Sequence, residues 1–483
     1  MNSIEKIENS LRRILLVELG IDKWTSEIVR NLRIQSGLQV FGTGTKSPCV
    51  GNEFFDFLVR GNPHESGLDL TDDIKNFVID KDLYAEIKCF EGATLRMLDR
   101  VDGFRLWQRN DLSKRRSYFF REASFWANYL EANQIEAVVF ANIPHEVHDF
   151  IIYNLCVARK IPTLLVFPTF SIDSFAFSVS ERVESVGSPS LAKAIKLQIE
   201  SVEPLGFKLR LKDDFLGTKT HGSDQFLGIY LGSTKQDKDA IDKPVLARAE
   251  KVSTQKRIAS KLSRMRSKLE YRLKKKSSSL PEDFVYFPLH VEPELATSPL
   301  GGHFEEQFEA VRFVASKLPR GWKVVIKEHP HQNGFGPRPK GFYKRFETIP
   351  SVELVKTEFN SLELISKSHV VATITGSAGF EALRLGKPSW VLGYPWYLSV
   401  PGVSRIDSSA DLEHAYAALN SFEPPTKDML VKNIDLLHET NFYGFTAGIP
   451  GHAHADEREF IYQATIQNVV AVIDKWMLHI SRD

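Results

Sequence analysis

Val370-Val-Ala-Thr-Ile-Thr-Gly-Ser-Ala-Gly-Phe-Glu-Ala-Leu383 is the stretch that decides the fold, because an apolar run enters a glycine-bearing turn and then a helical run. Two upstream stretches have the same design, with an apolar run that stops at a histidine: Phe284-Val-Tyr-Phe-Pro-Leu-His290 and Val324-Val-Ile-Lys-Glu-His-Pro330. Short runs rich in Val, Ile and Phe that end at polar turns are typical of buried parallel strands. Ligands bind at the carboxyl ends of such strands, so we expect a site where these polar residues cluster.

The turn Gly376-Ser-Ala-Gly379 has the composition of an anion-binding turn. Glycine lets the backbone approach a ligand closely, the following helix offers free N–H groups at its N-terminus, and Ser377 adds a hydroxyl donor. Glu381, in the first turn of that helix, would accept from ribose hydroxyls or simply favour the helix dipole. A tight strand-to-helix turn without a ligand remains the alternative. The predicted nucleotide-binding residues of this turn are Gly376, Ser377, Ala378, Gly379 and Glu381.

A histidine ends the predicted strand at residues 323–326. His329 precedes Pro330, and a histidine titrates near neutral pH, so it can donate to a phosphate or a leaving group. A lone histidine is more often structural, but the glycine turn downstream favours a functional role. Lys327 is predicted to add positive charge at a bound phosphate, although the adjacent Glu328 partly offsets it.

The motifs of this region resemble those of capsule and surface-polysaccharide synthesis proteins. The resemblance rests on Phe287-Pro-Leu-His290, Lys327-Glu-His-Pro330, Thr373-Ile-Thr-Gly-Ser-Ala-Gly-Phe-Glu-Ala-Leu-Arg-Leu-Gly-Lys-Pro388 and Gly393…Pro401-Gly402. The most similar group is the GT-B-like transferases of Kdo (3-deoxy-manno-octulosonic acid) that use CMP-Kdo, and bacterial sialyltransferases also pair a His-Pro motif with a Ser-bearing motif. The resemblance is good over residues 284–405 and moderate over residues 135–170. Many GT-B enzymes and sugar-nucleotide epimerases share the glycine element, so this element indicates the fold and does not identify the donor.

Composition places the chain among ordinary globular proteins. Its 483 residues, 42% apolar and 25% charged, suffice for two substantial domains. A formal net charge of +1 gives no reason to expect a nucleic-acid partner. Three scattered cysteines lack Cys-x-x-Cys spacing, which excludes a cysteine-zinc site and indicates a reducing cytoplasm. We expect neither a signal peptide nor a membrane span.

The resemblance implies a GT-B-like α/β fold with two facing Rossmann-like domains. We predict an N-terminal acceptor-side domain over residues 1–245 and a C-terminal nucleotide-sugar-binding domain over residues 283–483. Residues 246–282 are predicted to form a basic amphipathic helix and a linker between them. In GT-B folds the last helix often crosses back to the first domain, which is an analogy here.

A βαβ unit is predicted over residues 137–167, with four polar side chains crowded at its strand-to-helix turn. These side chains are His145, Glu146, His148 and Asp149. One interpretation is a metal site, although the i, i+3 histidine spacing is not that of a helical zinc motif. A second is a helix N-cap with a favourable acid in the first turn. The preferred interpretation is a catalytic carboxylate that faces His329 and Ser377 across a cleft.

In the resembling family the Pro-His-Glu element lies in the acceptor-side domain. Glu146 is therefore our first candidate for a carboxylate near the reacting sugar carbon, and Asp149 is the second. A transferase that works through a covalent intermediate needs a carboxylate nucleophile, which other acidic residues would also supply. Those further candidates are Asp173, Asp213, Asp214 and Asp224.

Residues 251–276 carry eleven basic residues and one acidic residue. Ile258, Leu262, Met265, Leu269 and Leu273 recur at helical spacing within this segment. A basic amphipathic helix indicates attachment to an anionic membrane surface. A solvated interdomain helix, whose narrow apolar stripe packs on the body of the protein, is the plainer alternative.

These observations together predict a glycosyltransferase of bacterial surface polysaccharide synthesis. It would transfer Kdo or a related ulosonic acid from a CMP-activated donor to a glycan or lipid-linked glycan acceptor, without a metal or other cofactor. The predicted location is cytoplasmic, with peripheral attachment to the inner membrane. The alternatives are a hexosyltransferase or epimerase that uses a UDP- or GDP-sugar, and a non-catalytic scaffold for polysaccharide export.

Overall fold

Two sheets of mainly parallel strands organise the structure, which is a computed structural model. The structure describes residues 12–19, 23–44, 56–59, 78–104, 112–169, 176–204, 254–274, 276–292, 294–330, 332, 338–446 and 455–481. The predicted candidates Asp173, Asp213, Asp214 and Asp224 lie outside these described residues.

The first sheet has seven strands in the order β13-β6-β5-β4-β1-β2-β3. These strands are β1 (Arg13–Val17), β2 (Gln39–Gly44), β3 (Asp56–Val59), β4 (Ala137–Phe140), β5 (Thr163–Pro168), β6 (Ala176–Ser180) and β13 (Phe442–Tyr443). The five neighbouring strands β3, β2, β1, β4 and β5 pair in parallel. Strand β6 then pairs with β5, and β13 pairs with β6, both in antiparallel orientation. The parallel core follows the sequence prediction, and the two antiparallel edge strands were not predicted.

Helices cover both faces of the first sheet. They are α1 (Lys23–Ser36), α2 (Lys81–Ile87), α3 (Glu91–Phe104), α4 (Leu112–Ala132), α5 (Val147–Arg159) and α6 (Ser190–Lys196). Alternate residues of one strand therefore enter two different cores: Leu165 joins the cluster that contains Trp126, and Leu164 joins the cluster that contains Trp476. Burial on both faces explains why the central strands consist of continuous runs of apolar residues.

The second sheet has six parallel strands in the order β12-β11-β10-β7-β8-β9. They are β7 (Phe284–Pro288), β8 (Lys323–Lys327), β9 (Val352–Val355), β10 (Val370–Thr373), β11 (Ser389–Val391) and β12 (Val403–Arg405). Its helices are α8 (Gln307–Ala315), α9 (Phe342–Phe346), α10 (Ser361–Lys367), α11 (Ala378–Arg384), α12 (Ser409–Ala418) and α13 (Lys427–Glu439). The basic segment forms α7 (Thr254–Leu273), which packs on this domain through Tyr271.

The end of the chain returns to the first domain. Strand β13 pairs with β6, and the last helix, α14 (Ala455–His479), buries Trp476 in the same core as Ile14 and Ile28. The final part of the predicted second domain, residues 283–483, therefore belongs with the first domain, because it completes the first sheet and covers one face of it. The analogy with GT-B folds anticipated this crossing of the last helix.

The two domains touch through both apolar and charged groups. Leu295, Leu300 and Tyr394, from loops that follow strands of the second sheet, pack against the core of the first domain. A guanidinium nitrogen of Arg96, on α3, lies 3.0 Å from a carboxylate oxygen of Glu292, which follows β7. The structure thus confirms the predicted GT-B-like α/β fold with two Rossmann-like domains.

Candidate functional site

Each sheet has a point at which the chain reverses the direction in which it adds strands. In the first sheet this point lies between β1 and β4, and in the second sheet it lies between β7 and β10. Ligands of open α/β sheets bind outside the carboxyl ends of the strands at such points. The predicted site residues follow these strands or their neighbours, so the candidate site has two halves, one in each domain.

A cleft of about 170 Å³ opens at the reversal point of the first sheet. It is lined by Val17, Glu18, Phe140, Ala141, Asn142, His145, Glu146, Asp149 and Thr446. Both predicted carboxylates therefore lie on one concave surface, together with an acid that sequence reasoning did not assign. Thr446 belongs to the returning C-terminal segment, so this cleft is completed only by the tertiary structure.

Asp149 is a buried carboxylate in the first turn of α5. Its Oδ2 atom accepts from the backbone N–H of His145 at 2.9 Å, and its Oδ1 atom accepts from the N–H of Phe150 at 2.6 Å. Burial raises the pKa of Asp149 to about 6, although the neighbouring His148 works in the opposite direction. A carboxylate that titrates close to neutral pH is suited to accept and return a proton.

Glu146 is more accessible than Asp149. It occupies the N-cap position of α5 with an extended backbone, and its side chain, 30% exposed, lies along the cleft. One of its carboxylate oxygens is 3.7 Å from Nε2 of His145. Glu146 thus holds the N-cap position without a side-chain capping hydrogen bond, and its carboxylate lines the cleft.

His148 is buried beneath the cleft and contacts Glu18, which follows β1. Burial disfavours its charged form, but the hydrogen bond and charge of Glu18 outweigh this and raise the pKa of His148 to about 9. Glu18 has φ = 55°, a left-handed conformation that is uncommon outside glycine and clusters at functional sites. The signal for Glu18 was an acid directly after an apolar run, the pattern that identified His290 and His329.

The two histidines of this cluster turn toward different partners. Nδ1 of His145 lies 2.6 Å from the carbonyl oxygen of Ile143, whereas Nε2 of His148 lies 2.9 Å from Oε1 of Glu18. Within the ranges that the structure describes, no group of three or more His, Cys, Asp or Glu side chains is arranged to hold a metal ion.

His290 occupies the reversal point of the second sheet. Its Nε2 atom lies 3.1 Å from Oγ1 of Thr373, at the end of β10. Burial, followed by the charges of His329 and Arg338, lowers the pKa of His290 to about 3. This imidazole is therefore neutral at physiological pH, and it acts as a hydrogen-bonding group in the same environment as His329.

The turn after β10 closes tightly against this histidine. The backbone N–H of Gly376 donates to Oγ1 of Thr373 at 3.1 Å, and a Cβ atom at Gly376 would lie 3.0 Å from Cε1 of His290. A Cβ atom at Gly379 would likewise collide with Tyr397 and Ser389. Both glycines are thus required because neighbouring side chains fill the space, which brings the turn close to His290.

Ser377 and Glu381 contact each other at the start of α11. The Ser377 hydroxyl donates to Oε1 of Glu381 at 3.2 Å. Burial raises the pKa of Glu381, whereas Ser377, Arg384 and Lys327 oppose that shift. The five predicted residues of this turn are therefore assembled around one short helix, and their contact with a nucleotide stays a prediction.

Lys327 is buried at the end of β8, on the side of the sheet that α10 covers. Its Nζ atom donates to the carbonyl oxygen of Phe359 at 2.7 Å and to Oγ of Ser361 at 2.8 Å. Burial lowers the pKa of this amine, while the charges of Glu358 and Glu381 oppose the shift. In this structure the ammonium anchors the loop before α10, which gives Lys327 a structural role in addition to the predicted one.

Arg338, which precedes α9, is buried. Its guanidinium lies 2.8 Å from Oε1 of Glu328 and 2.9 Å from Oε2 of Glu292, and it donates to the carbonyl oxygen of His290 at 2.7 Å. Burial lowers the pKa of the Arg338 guanidinium, but the charges of Glu328 and Glu292 outweigh this effect and raise the pKa above its ordinary value. Glu292 also binds Arg96, so this buried cluster links the His290 turn to the first domain.

One family match covers most of the second domain. Residues 247–433 match the model of a family described as "Capsule polysaccharide biosynthesis protein". The matched range contains α7, all six strands of the second sheet and the Gly376–Gly379 turn. No curated protein matches the chain.

Several solved structures share parts of the backbone arrangement at low identity. The beta Kdo 2,7 transferase of Thermosulfurimonas dismutans KpsC is 12% identical, with 72% of this chain and 88% of that chain covered and a TM-score of 0.30. Its beta Kdo 2,4 transferase is 17% identical, with 62% and 87% covered and a TM-score of 0.28. UDP-GlcNAc 2-epimerase from Methanocaldococcus jannaschii is 10% identical, with 88% and 99% covered and a TM-score of 0.26. Scores this low decide nothing about activity, and it is the match over residues 247–433 that confirms the resemblance of this chain to capsule polysaccharide biosynthesis proteins.

Proposed function

We propose that the chain is a glycosyltransferase of bacterial surface polysaccharide synthesis that transfers Kdo or a related ulosonic acid from a CMP-activated donor to a glycan acceptor. The observation that carries the proposal is the pairing of two sites at strand-reversal points. One holds the carboxylates Glu146 and Asp149, and the other holds His290, His329 and the glycine turn. The second site lies within the range that matches capsule polysaccharide biosynthesis proteins.

On the donor side, the proposed task is to stabilise the phosphate of the departing CMP. The Ser377 hydroxyl would turn from Glu381 to the phosphate as a neutral donor, and His329 offers a donor that carries charge when protonated. His290, which is neutral near pH 7, would position the turn through Thr373 and Gly376 instead of supplying charge. CMP leaves with a single phosphate, which is why we expect these groups to suffice without a metal.

On the acceptor side, the proposed task belongs to an ionised carboxylate. Glu146 lies along the cleft and is the first candidate, and Asp149 is the second. Acting as a base, the carboxylate removes the proton of the acceptor hydroxyl, the acceptor oxygen bonds to the sugar carbon, and the bond to phosphate breaks with its electron pair on CMP. Acting as a nucleophile, it would bond to that carbon as CMP leaves with the electron pair, and the acceptor oxygen would then displace the carboxylate as the acceptor hydroxyl loses its proton. Either role requires the charged form, which for Asp149 exists mainly above pH 6.

Thermal unfolding in the presence of CMP, UMP, UDP, GDP and NAD tests the donor. A ligand at about 100 times its Kd adds roughly 2.7 kcal/mol to the free energy of unfolding, which shifts the midpoint visibly. We expect a CMP-selective shift that disappears in His329→Ala and persists in His414→Ala, a matched change at an exposed histidine of α12. Turnover of CMP-Kdo would then be assayed with a glycan acceptor.

The other outcomes discriminate the remaining candidates. A UDP- or GDP-selective shift would overturn the CMP donor and favour a hexosyltransferase or an epimerase. Absence of any shift at millimolar nucleotide would overturn the transferase and favour a scaffold for polysaccharide export.

Two cysteines among the described residues, Cys89 and Cys156, are free thiols, which supports the proposed cytoplasmic location.

A further inference from the structure

Helix α7 exposes the apolar side that the sequence pattern predicted. Leu262 is 60% exposed, Met265 57%, Leu269 55% and Leu273 75%. Positions separated by three, four and four residues lie on one side of a helix, so these four side chains form a continuous stripe. We call Leu262, Met265, Leu269 and Leu273 the apolar stripe. Single exposed apolar residues are common, but an aligned row of four marks an interaction surface.

The opposite side of the helix, which is polar, is the side that packs on the protein. The buried hydroxyl of Ser267 accepts from the backbone N–H of Arg338 at 3.2 Å, and Oε2 of Glu270 accepts from the N–H of Gly341 at 3.1 Å. The Tyr271 ring lies 5.1 Å from that of Tyr343. These contacts fix the rotation of the helix about its axis, so the apolar stripe is held outward. An ordinary surface helix of a globular protein has the reverse arrangement.

Exposed basic side chains border the apolar stripe on both sides. At about 100° per residue, Lys261, Lys268 and Arg272 lie on one border and Arg266 lies on the other. All four are exposed. An apolar stripe with three basic residues on one border and one on the other is complementary to an anionic bilayer surface, which offers an apolar interior below a layer of negative headgroups.

We infer that α7 is a membrane-surface helix, which lies flat on an anionic bilayer with the apolar stripe inserted below the headgroups. No helix among the described residues is long and apolar enough to span a bilayer. The polar contacts of Ser267 and Glu270 stay with the protein, so the second domain would dock as a rigid body. The inference holds independently of the proposed transferase activity.

Co-sedimentation of the full chain with vesicles tests this inference. We expect binding to vesicles of phosphatidylcholine mixed with phosphatidylglycerol, weak binding to phosphatidylcholine alone, and loss of binding at high salt. The triple variant Leu262→Gln, Met265→Gln and Leu269→Gln keeps every charge, and binding should fall by at least about tenfold. The variant Lys261→Gln, Lys268→Gln and Arg272→Gln keeps the apolar stripe, and binding should fall by about fivefold for each residue.

Matched controls separate this surface from general effects of substitution. Ile34→Gln and Leu197→Gln change two other exposed apolar residues, 71% and 79% accessible, and should leave vesicle binding unchanged. The thermal midpoint of each variant is measured as well, because side chains in solvent contribute little to stability.

Three results would overturn the inference. The first is equal binding of the wild-type chain to both kinds of vesicle. The second is a concentration-dependent dimer, observed by analytical ultracentrifugation without lipid and abolished in the glutamine variant of the apolar stripe. A second copy of the chain would then be the partner that covers the apolar stripe. The third is a thermal midpoint that falls sharply in that variant, which would mean that the apolar stripe packs within the chain.

Discussion

Nε2 of His148 lies 2.9 Å from Oε1 of Glu18, and this contact joins the helix after β4 to the end of β1 at the reversal point of the first sheet. The pair is only partly shielded, since the side chain of His148 is 4% exposed and that of Glu18 is 24% exposed. Glu18 lines the cleft together with Glu146 and Asp149. The charge state of His148 therefore bears on the stability of the first domain and on the electrostatic environment of the cleft.

The first prediction concerns the pH dependence of stability. The pKa of His148 is about 9 in the folded chain against an ordinary 6.5, so folding favours its protonated form. The resulting stabilisation is fully present below pH 6.5 and is lost as the pH rises through 9, by at most about 3 kcal/mol. Chemical denaturation at a series of pH values measures this loss. Glu18→Gln should flatten the decline, and an unchanged slope in that variant would contradict the assignment.

The second prediction concerns catalysis by Glu146. Glu146→Gln removes the charge while it preserves the size of the side chain, so turnover should fall by a factor of about 10² to 10⁴ with little change in nucleotide binding. Steady-state rates with a CMP-activated ulosonic acid measure the effect, and Glu131→Gln at an exposed position of α4 is the matched control. Turnover that survives in Glu146→Gln would transfer the role to Asp149. Asp149→Asn is a less clean test, since both carboxylate oxygens of Asp149 accept backbone N–H groups.

The third prediction concerns the glycine turn. In Gly376→Ala the new Cβ atom would approach Oγ1 of Thr373 to 2.8 Å and Cε1 of His290 to 3.0 Å, so the turn must move away from the histidine. We expect the nucleotide-induced shift of the thermal midpoint to be lost, with destabilisation of about 1 to 3 kcal/mol. Gly92→Ala is the control, because a Cβ atom there meets no described atom within 4 Å. Undiminished nucleotide binding by Gly376→Ala would show that this turn does not contact the ligand.

The fourth prediction concerns the buried cluster around Arg338. Arg338→Met removes the shared partner of Glu328 and Glu292, which leaves the buried Glu328 without this counter-charge and leaves Glu292 paired with Arg96 alone, and the change should cost about 3 to 5 kcal/mol of stability. Arg345→Met, at an exposed arginine with similar acidic partners, should cost less than about 1 kcal/mol. Urea denaturation at neutral pH compares the two variants. Equal losses would mean that burial of the Arg338 cluster carries no special energetic weight.

The strands and turns were predictable from the sequence because their signals are local. Apolar runs at β7, β8 and β10 end at His290, His329 and the Gly376 turn, as predicted, because strands buried on both faces must be apolar and chain reversals need polar or flexible residues. The antiparallel edge strands β6 and β13 were missed. Pairing partners depend on contacts between distant parts of the chain, which no local pattern records.

The partners of the charged residues were less accessible to sequence reasoning. Neither Arg338 nor Glu18 was assigned a partner from the sequence, yet each completes a cluster with a group far away in the chain, Glu292 for Arg338 and His148 for Glu18. A charged residue in a loop is predicted from the sequence to be exposed to solvent. Only the folded structure supplies the counter-charges that make its burial possible.

The sequence by itself determined where the strands of the parallel cores run, which turns are candidates for a binding site, and that residues 251–276 combine apolar and basic side chains at helical spacing. Only the tertiary structure decided that His290 meets Gly376, that Thr446 closes the first cleft, and that α7 turns its apolar stripe outward. The physical reason is that periodicity specifies which residues share a side of an element. Which side faces the protein depends on the competing contacts of the opposite side, here those of Ser267, Glu270 and Tyr271.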